Sequence, residues 1–298
     1  MSTGTVMEQP DAETVFAEHR RLLQAVAYRV LGSVADAEDV VQDAWLRWDR
    51  VDQDATRVED PEGYLVRTTT RLAIDRLRSA QVRRESYVGP WLPEPLLTSH
   101  DVADDVALAD SVSTAMLLVL EALSPVERAV FVLREAFGFS HAEIAGFVGR
   151  EEATVRQISS RARKSVEARR HRYDTDRSTR QQATERFLAA SVGGDINALM
   201  EVLAPDVVLI SDGGGLAPAP RKAITGLDLV ARALATFAGR MPEDPSAEVL
   251  QLNGGPGVVV FSGGTPVAAI TTHLVDGLIE QIQLVSNPEK LAGVTRRR

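Results

Sequence analysis

The chain has 298 residues, no cysteine and a formal net charge of −9. That length predicts two or three domains rather than one core. The absence of cysteine excludes disulfides, thiolate metal sites and thiol nucleophiles, and fits a reducing compartment.

The polar, acidic start Met1–Glu13 does not read as a signal peptide, and apolar runs such as Val258–Phe261 are far too short to span a membrane. A soluble cytoplasmic protein without membrane contact is expected. Net negative charge opposes a nucleic-acid partner at long range, but the charge is segregated. Residues 64–84 carry six Arg against one Asp, and residues 150–172 carry eight Arg/Lys against three Glu. Residues 36–54 reverse the balance, with seven acids against two Arg. Two basic patches and one acidic patch imply two partners, nucleic acid and a basic protein surface.

In chain order, residues 12–31 form an amphipathic helix with Phe16, Leu23, Val26, Ala27, Val30 and Leu31 inward. Gly32 stops it, and Ser33 caps a second helix that buries Ala37, Val40, Val41, Ala44, Trp45 and Trp48. Asp36, Asp39, Gln42 and Asp43 stay outside on that helix. Residues 49–60 read as an acidic loop. Asp60-Pro61 then caps a long helix to about Arg84, with Leu65, Val66, Leu72, Ala73 and Leu77 on one side. Tyr64, Arg67, Arg71 and Arg78 lie on the other. Arg76 falls within the apolar arc, so it is expected to snorkel or to pair with an acid of the preceding helix.

Tyr87–Leu97 is a Pro-rich linker, followed by an acidic stretch to Asp110. Trp91 between prolines is either an anchor for a docking surface or a side chain packed on a neighbouring helix. Ser124-Pro-Val-Glu127 and Ser140-His-Ala-Glu143 are helix-capping boxes, and Gly138 and Gly149 break the chain. A third helix runs from about Glu151 past Lys164, with Val155, Ile158, Ala162 and Val166 inward. Gln157, Ser160 and Lys164 face outward, flanked by Arg156, Arg161 and Arg163. This is the pattern of a helix-turn-helix reader; the plainer reading is a surface helix with solvated charges. Glu151 and Glu152 suit the helix dipole but would repel phosphates, unless one of them accepts from a cytosine amino group.

After Asp174, helical signals at 179–192 and 195–203 precede beta-branched runs at 207–211, 247–252, 258–262, 267–275 and 279–285. Another helix lies near 226–240. Helices followed by four antiparallel strands predict an α+β domain, a sheet curled over a helix pair.

Arg29–Trp45 and Thr70–Arg78 resemble region two of extracytoplasmic-function sigma factors. Leu123–Arg128, Ser140–Ala145, Thr154-Val155 and Arg161–Arg163 resemble region four. Two such motifs in the family's order are specific where one would be weak. The resemblance implies a transcription initiation subunit that recruits core RNA polymerase and recognises promoter DNA. It assigns Asp36, Asp39, Gln42 and Asp43 to the polymerase beta-prime coiled coil; a merely solvated acidic face is the alternative. The beta flap is the second polymerase contact it implies. Tyr64, Arg67, Arg71 and Arg78, with the loop at 49–60, are assigned to the upstream edge of the melted bubble. Gln157, Ser160 and Lys164 are assigned to bases of the minus-thirty-five element, and Arg156, Arg161 and Arg163 to phosphates.

The tail resembles the SnoaL-like polyketide cyclase fold found in one subgroup of these sigma factors. Three segments resemble that subgroup's hallmarks: Trp91-Leu-Pro-Glu-Pro95, Asp212-Gly-Gly-Gly215 and Asn287-Pro-Glu-Lys-Leu291. Trp91, Pro93, Pro95, Asp212, Gly213, Gly214, Gly215, Asn287 and Pro288 are accordingly expected at interdomain contacts. The expected division is a region-two domain at 1–86, a linker at 87–110, a region-four domain at 111–172 and a SnoaL-like regulatory domain at 178–298. The only tempting catalytic pair is Asp212 with His273. A turn explains the first and core packing the second, so no catalytic residue, cofactor or metal is assigned. The cavity such a tail encloses has room for a small ligand. Two alternatives stay open: a ligand-responsive helix-turn-helix regulator, and a sigma factor fused to an active cyclase-like enzyme.

Overall fold

The computed structural model describes residues 11–53, 58–84, 87–98, 114–170, 177–193, 195–240 and 244–294. The chain divides into two compact units, Met1–Ser79 with Pro125–Arg161 and Ala80–Ser124 with Ala162–Arg298.

In the first unit, α1 (Ala12–Leu31) begins where the Asp11 carboxylate accepts from Thr14 N at 2.7 Å, and ends at Gly32 with φ 68°. Ser33 Oγ accepts from Asp36 N at 3.1 Å to start α2 (Val34–Gln53). Asp60 does the same for Gly63 N at 2.9 Å, opening α3 (Pro61–Arg84). All six predicted inward residues of α1 are buried. The acidic loop expected over 49–60 is shorter than expected, because α2 stays helical through Gln53. Trp48 holds that end of α2: its Nε1 donates to Ala12 O at 2.9 Å, and its ring lies 5.7 Å from that of Tyr64. Residues 54–57 of the expected loop lie outside the described residues.

A short helix, α4 (Thr114–Glu121), precedes α5 (Pro125–Glu135), α6 (His141–Val148) and α7 (Glu152–Arg170). The capping box at α6 is complete, with Ser140 N donating to Glu143 Oε2 at 2.7 Å and Glu143 N to Ser140 Oγ at 3.2 Å. Gly149, φ 65°, makes the turn into α7. Val155, Ile158, Ala162 and Val166 are buried along α7, as the periodicity requires.

The second unit holds α8 (Arg177–Gly193), α9 (Ile196–Val202), β1 (Leu203–Asp212), β2 (Ile224–Thr225) and α10 (Leu227–Ala238). It continues with β3 (Pro245–Leu252), β4 (Gly255–Ser262), β5 (Thr265–Val275), β6 (Leu278–Val285) and α11 (Pro288–Leu291). Among the described residues the sheet order is β2-β1-β6-β5-β4-β3. Strands β3 to β6 form an antiparallel meander. Asn253-Gly254, Gly263-Gly264 and Asp276-Gly277 make its turns, every residue at positive φ, as two-residue hairpins require.

The four expected antiparallel strands are β3 to β6, and the sheet extends beyond them at one edge. β1 runs parallel to β6, and the two-residue β2 pairs antiparallel on its far side. The reason is connectivity: β1 leaves the helices before the meander starts, so the last strand returns alongside it in the same sense. One sheet face, with Leu209, Val260, Ile270 and Ile282, packs on Phe187, Leu199, Val230 and Leu234 of the helices. The other face, with Val259, Phe261, Ala269 and Val285, is covered by Leu92 of the linker and by Leu291 and Val294. An α+β tail with helices on one sheet face is therefore present. What had not been anticipated is that the linker covers the other face.

Candidate nucleic-acid interface and linker joint

On α7 the outward residues Arg156, Gln157, Ser160, Arg161, Arg163 and Lys164 are all exposed, on one side of a helix anchored by its apolar stripe. Helical spacing alone puts a hydrogen-bonding amide and a hydroxyl between guanidinium groups, the pattern suited to base edges flanked by phosphates. Glu152 pairs with Arg156 across one helical turn at 2.5 Å. That pairing offsets part of the repulsion expected from the acids at the start of the helix, and takes part of the charge of Arg156 with it.

On α3, Arg67 lies over the Tyr64 ring at 5.3 Å, and Arg78 pairs with Asp75 at 3.1 Å in the open. Arg71 is exposed, yet its guanidinium caps the end of α6, Nε donating to Phe147 O at 2.9 Å and Nη2 to Gly146 O at 3.2 Å. In this arrangement Arg71 is bound to the helix-turn-helix itself. A second arginine ties another pair of helices: Arg128 of α5 is fully buried and donates to Val30 O at 2.9 Å, at the end of α1. Arg29 lies over the Phe137 ring at 4.5 Å, and burial pulls its pKa down to about 10.

The acidic face of α2 is divided. Asp36 and Asp39 grip Arg76 at 2.6 and 2.7 Å, which is the pairing expected for that inward arginine. Donating to the Asp36 carboxylate raises the Arg76 pKa, so the guanidinium stays charged. Gln42 and Asp43 remain exposed, beside Leu46, which is 45% exposed.

The second unit gathers most of the predicted interdomain residues around one buried carboxylate. Asp212, at the end of β1, is fully buried and accepts from Tyr87 Oη at 2.6 Å, Leu92 N at 2.8 Å, Gly214 N at 3.1 Å and Lys290 Nζ at 2.6 Å. Lys290, also buried, donates to Leu92 O at 2.5 Å and lies 4.1 Å from the centre of the Trp91 ring and 5.1 Å from that of Tyr87. Asn287 caps α11 through its carbonyl, which accepts from Glu289 N, while its amide donates to Tyr87 Oη at 3.0 Å. Burial, then the Asp212 carboxylate, push the Tyr87 phenol well above its ordinary pKa, so it acts as a donor.

Gly214 has φ 62°, and a Cβ there would meet Asn287 Nδ2 at 2.3 Å; a Cβ on Gly213 would meet Ala217 O at the same distance. Gly215 faces Val88. Pro93 and Pro95 are buried, whereas Pro288 is exposed and serves as the first residue of α11. Further along, Asn253 N donates to Leu96 O at 2.8 Å and Leu96 N to Asn253 Oδ1 at 2.6 Å, so Leu97 bridges to β3. Tyr87 and Lys290, absent from the expected site residues, complete the joint.

His273 and Asp212 each have other partners. His273 is buried and bonds to Gln283 Nε2 at 3.0 Å, and burial lowers its pKa to about 4. No cluster of metal-ligating side chains occurs among the described residues, and none of their helices is long and apolar enough to cross a membrane.

Comparison with known proteins bears on both sites. The Sigma-70 region 2 family model matches residues 15–83, and the Sigma-70 region 4 model matches residues 113–166. The chain is 39% identical to the ECF RNA polymerase sigma factor SigJ of Mycobacterium tuberculosis, over 93% of this chain and 92% of that one. It is 31% identical to the probable ECF RNA polymerase sigma factor SigI of the same species, over 96% and 97% of the two chains. The crystal structure of M. tuberculosis SigJ superposes with a TM-score of 0.70 at 33% identity, covering 95% of this chain and 99% of that one.

Proposed function

From the premise that the chain belongs to the extracytoplasmic-function RNA polymerase sigma factors, we propose that its tail regulates transcription initiation from within the same chain. The tail does so by holding the linker between the two sigma regions. The observation that carries this reading is the buried Asp212–Lys290 pair closed over Tyr87, Trp91 and Leu92. A segment joining two DNA-binding regions would otherwise be a free tether. Fixed to a folded domain, it restricts how those regions can separate, and an intramolecular grip works even when each contact is weak.

Within this reading the acidic face, Asp36, Asp39, Gln42 and Asp43, with Leu46, receives the beta-prime coiled coil of core polymerase, and region four receives the beta flap. Tyr64, Arg67 and Arg78 hold the melted upstream edge, and Arg71 joins them only by releasing the carbonyls of Gly146 and Phe147. Gln157, Ser160 and Lys164 read bases, while Arg156, Arg161 and Arg163 hold phosphates. The regions run 1–86, 87–110, 111–172 and 178–298, and the site of action is the cytoplasm. The tail is a SnoaL-like scaffold without catalysis: Asp212 is engaged by four donors, and His273 is buried against Gln283.

Co-purification with core polymerase, followed by run-off transcription, tests the proposal. Full-length chain and a chain ending at Tyr173 should both bind core enzyme but differ in promoter output. Equal output would make the tail a passenger, and failure of either to bind core enzyme would remove the assigned polymerase face.

A further inference from the structure

Beside the joint, the second unit contains a cavity of about 580 Å³, lined by Ala217, Pro218, Ala219, Pro220, Ala233, Thr236, Phe237, Arg240, Val267 and Ser286. Its volume lies in the range of small-molecule sites, and its walls are mainly apolar with a few polar groups, as such sites require. Among the described residues, the one ionisable side chain in the lining is the guanidinium of Arg240, with no carboxylate beside it. Arg221 and Lys222, which follow Pro220, are exposed and add to the positive charge of that loop. Thr236 donates its hydroxyl hydrogen to Arg232 O at 2.8 Å, which leaves its oxygen as an acceptor.

The wall formed by residues 213–221 has two sides. Ala217 to Pro220 face the cavity. The same loop meets the linker: a Cβ on Gly215 would lie 3.2 Å from Val88 Cβ, and one on Gly89 would lie 3.7 Å from Arg221 Cα. The loop is closed on itself, with Leu216 N and Ala217 N both donating to Gly213 O at 2.9 and 3.0 Å. Its room for adjustment is small, since Gly213 sits against Ala217 O. The cavity also reaches the joint through Ser286, whose N–H donates to Asp212 O at 2.8 Å. A closed loop packed on both sides passes a displacement on one side to the other.

We propose that this cavity is a sensor site for a small, mainly apolar organic anion, and that its occupancy reaches the linker through the 213–221 loop. The apolar walls take the body of the ligand, and Arg240 takes its carboxylate or equivalent group in a charge-assisted hydrogen bond. This deepens the reading of the tail as a regulator in cis and rests on it.

Sodium decanoate, decanol and decyltrimethylammonium, matched in chain length, serve as probes of full-length protein by titration calorimetry. Decanoate should bind saturably and more tightly than the other two. Arg240→Gln, at an exposed position, should weaken decanoate about tenfold while leaving decanol unchanged. Ala233→Trp should fill the cavity and remove binding of every probe, with native circular dichroism as the control. In the wild type, decanoate should alter amide hydrogen exchange of residues 87–98 and 213–221, and in Ala233→Trp it should not. Absence of saturable decanoate binding, or binding indifferent to Arg240→Gln, overturns the anion site. Binding that leaves exchange of residues 87–98 unchanged overturns the relay. None of these readouts involves polymerase, so they stand or fall separately from the transcription assay.

Discussion

A carboxylate buried to zero exposure survives only if its lone pairs are met, and Asp212 meets that condition with partners drawn from two distant stretches of chain, the linker and α11. Removing one partner should cost more than the pair contributes in net terms, because the charge left behind cannot be hydrated. Lys290→Met should therefore destabilise the second unit by about 3–5 kcal/mol. Asp212→Asn with Lys290→Met should recover part of that loss in urea denaturation. His273 makes a different demand. Its folded pKa of about 4 lies below the ordinary 6.5, so the unfolded chain takes up the proton first. The stability this group contributes is present above pH 6.5 and is lost as pH falls through the folded value near 4. At about 1.4 kcal/mol per pH unit, the loss is on the order of 3 kcal/mol. Urea midpoints of the wild type should fall over that window, and those of His273→Gln should fall less.

At the scale of elements, the roles proposed on α7 separate reading from holding. Gln157→Ala should relax preference at one promoter position, whereas Arg163→Ala should weaken binding on every sequence and reduce its salt dependence. Equal losses on all sequences from both variants would show that the helix makes no such division. On α2 the ion pairs with Arg76 decide which acids can be tested cleanly. Asp43→Arg should lower affinity for core polymerase at least tenfold with unchanged circular dichroism. Asp39→Arg would also break the pairing that fastens α2 to α3. These helices were legible because caps and apolar spacing are local: Ser33, Asp60, Ser140 and Gly149 sit at helix ends that the chain itself marks. The parallel β1–β6 pair was not legible, since pairing sense depends on residues some 70 positions apart, and neither strand records its partner. The grip of Arg71 on α6 escaped for the same reason: an exposed arginine on a basic helix has the same local sequence signal whether it meets phosphate or carbonyl.

Across the whole molecule, the three hallmark segments lie around Asp212, but the composition of the joint was not legible in the sequence. Tyr87 and Lys290 are ordinary residues until the fold places one above Asp212 and the other against Trp91. If the joint acts as one device, its parts should not contribute independently. Trp91→Ala and Lys290→Met should each shift promoter output, and the double variant should shift it by less than the two effects combined. Strict additivity in a run-off assay would separate Trp91 from the device.

The position of β6 in the middle of the sheet, between β1 and β5, bears on the birth of the protein. Both sigma regions are synthesised before α8, while the strand that completes the sheet, and the lysine that clasps the linker, come about 120 residues later. At roughly 5–20 residues per second, that is an interval of about 6–24 s. Throughout it the nascent chain carries α7 with no clasp on the linker. Under the proposed regulation in cis, restraint is the last property this polypeptide acquires, and any event that halts synthesis short of Lys290 yields a sigma factor whose linker was never fastened.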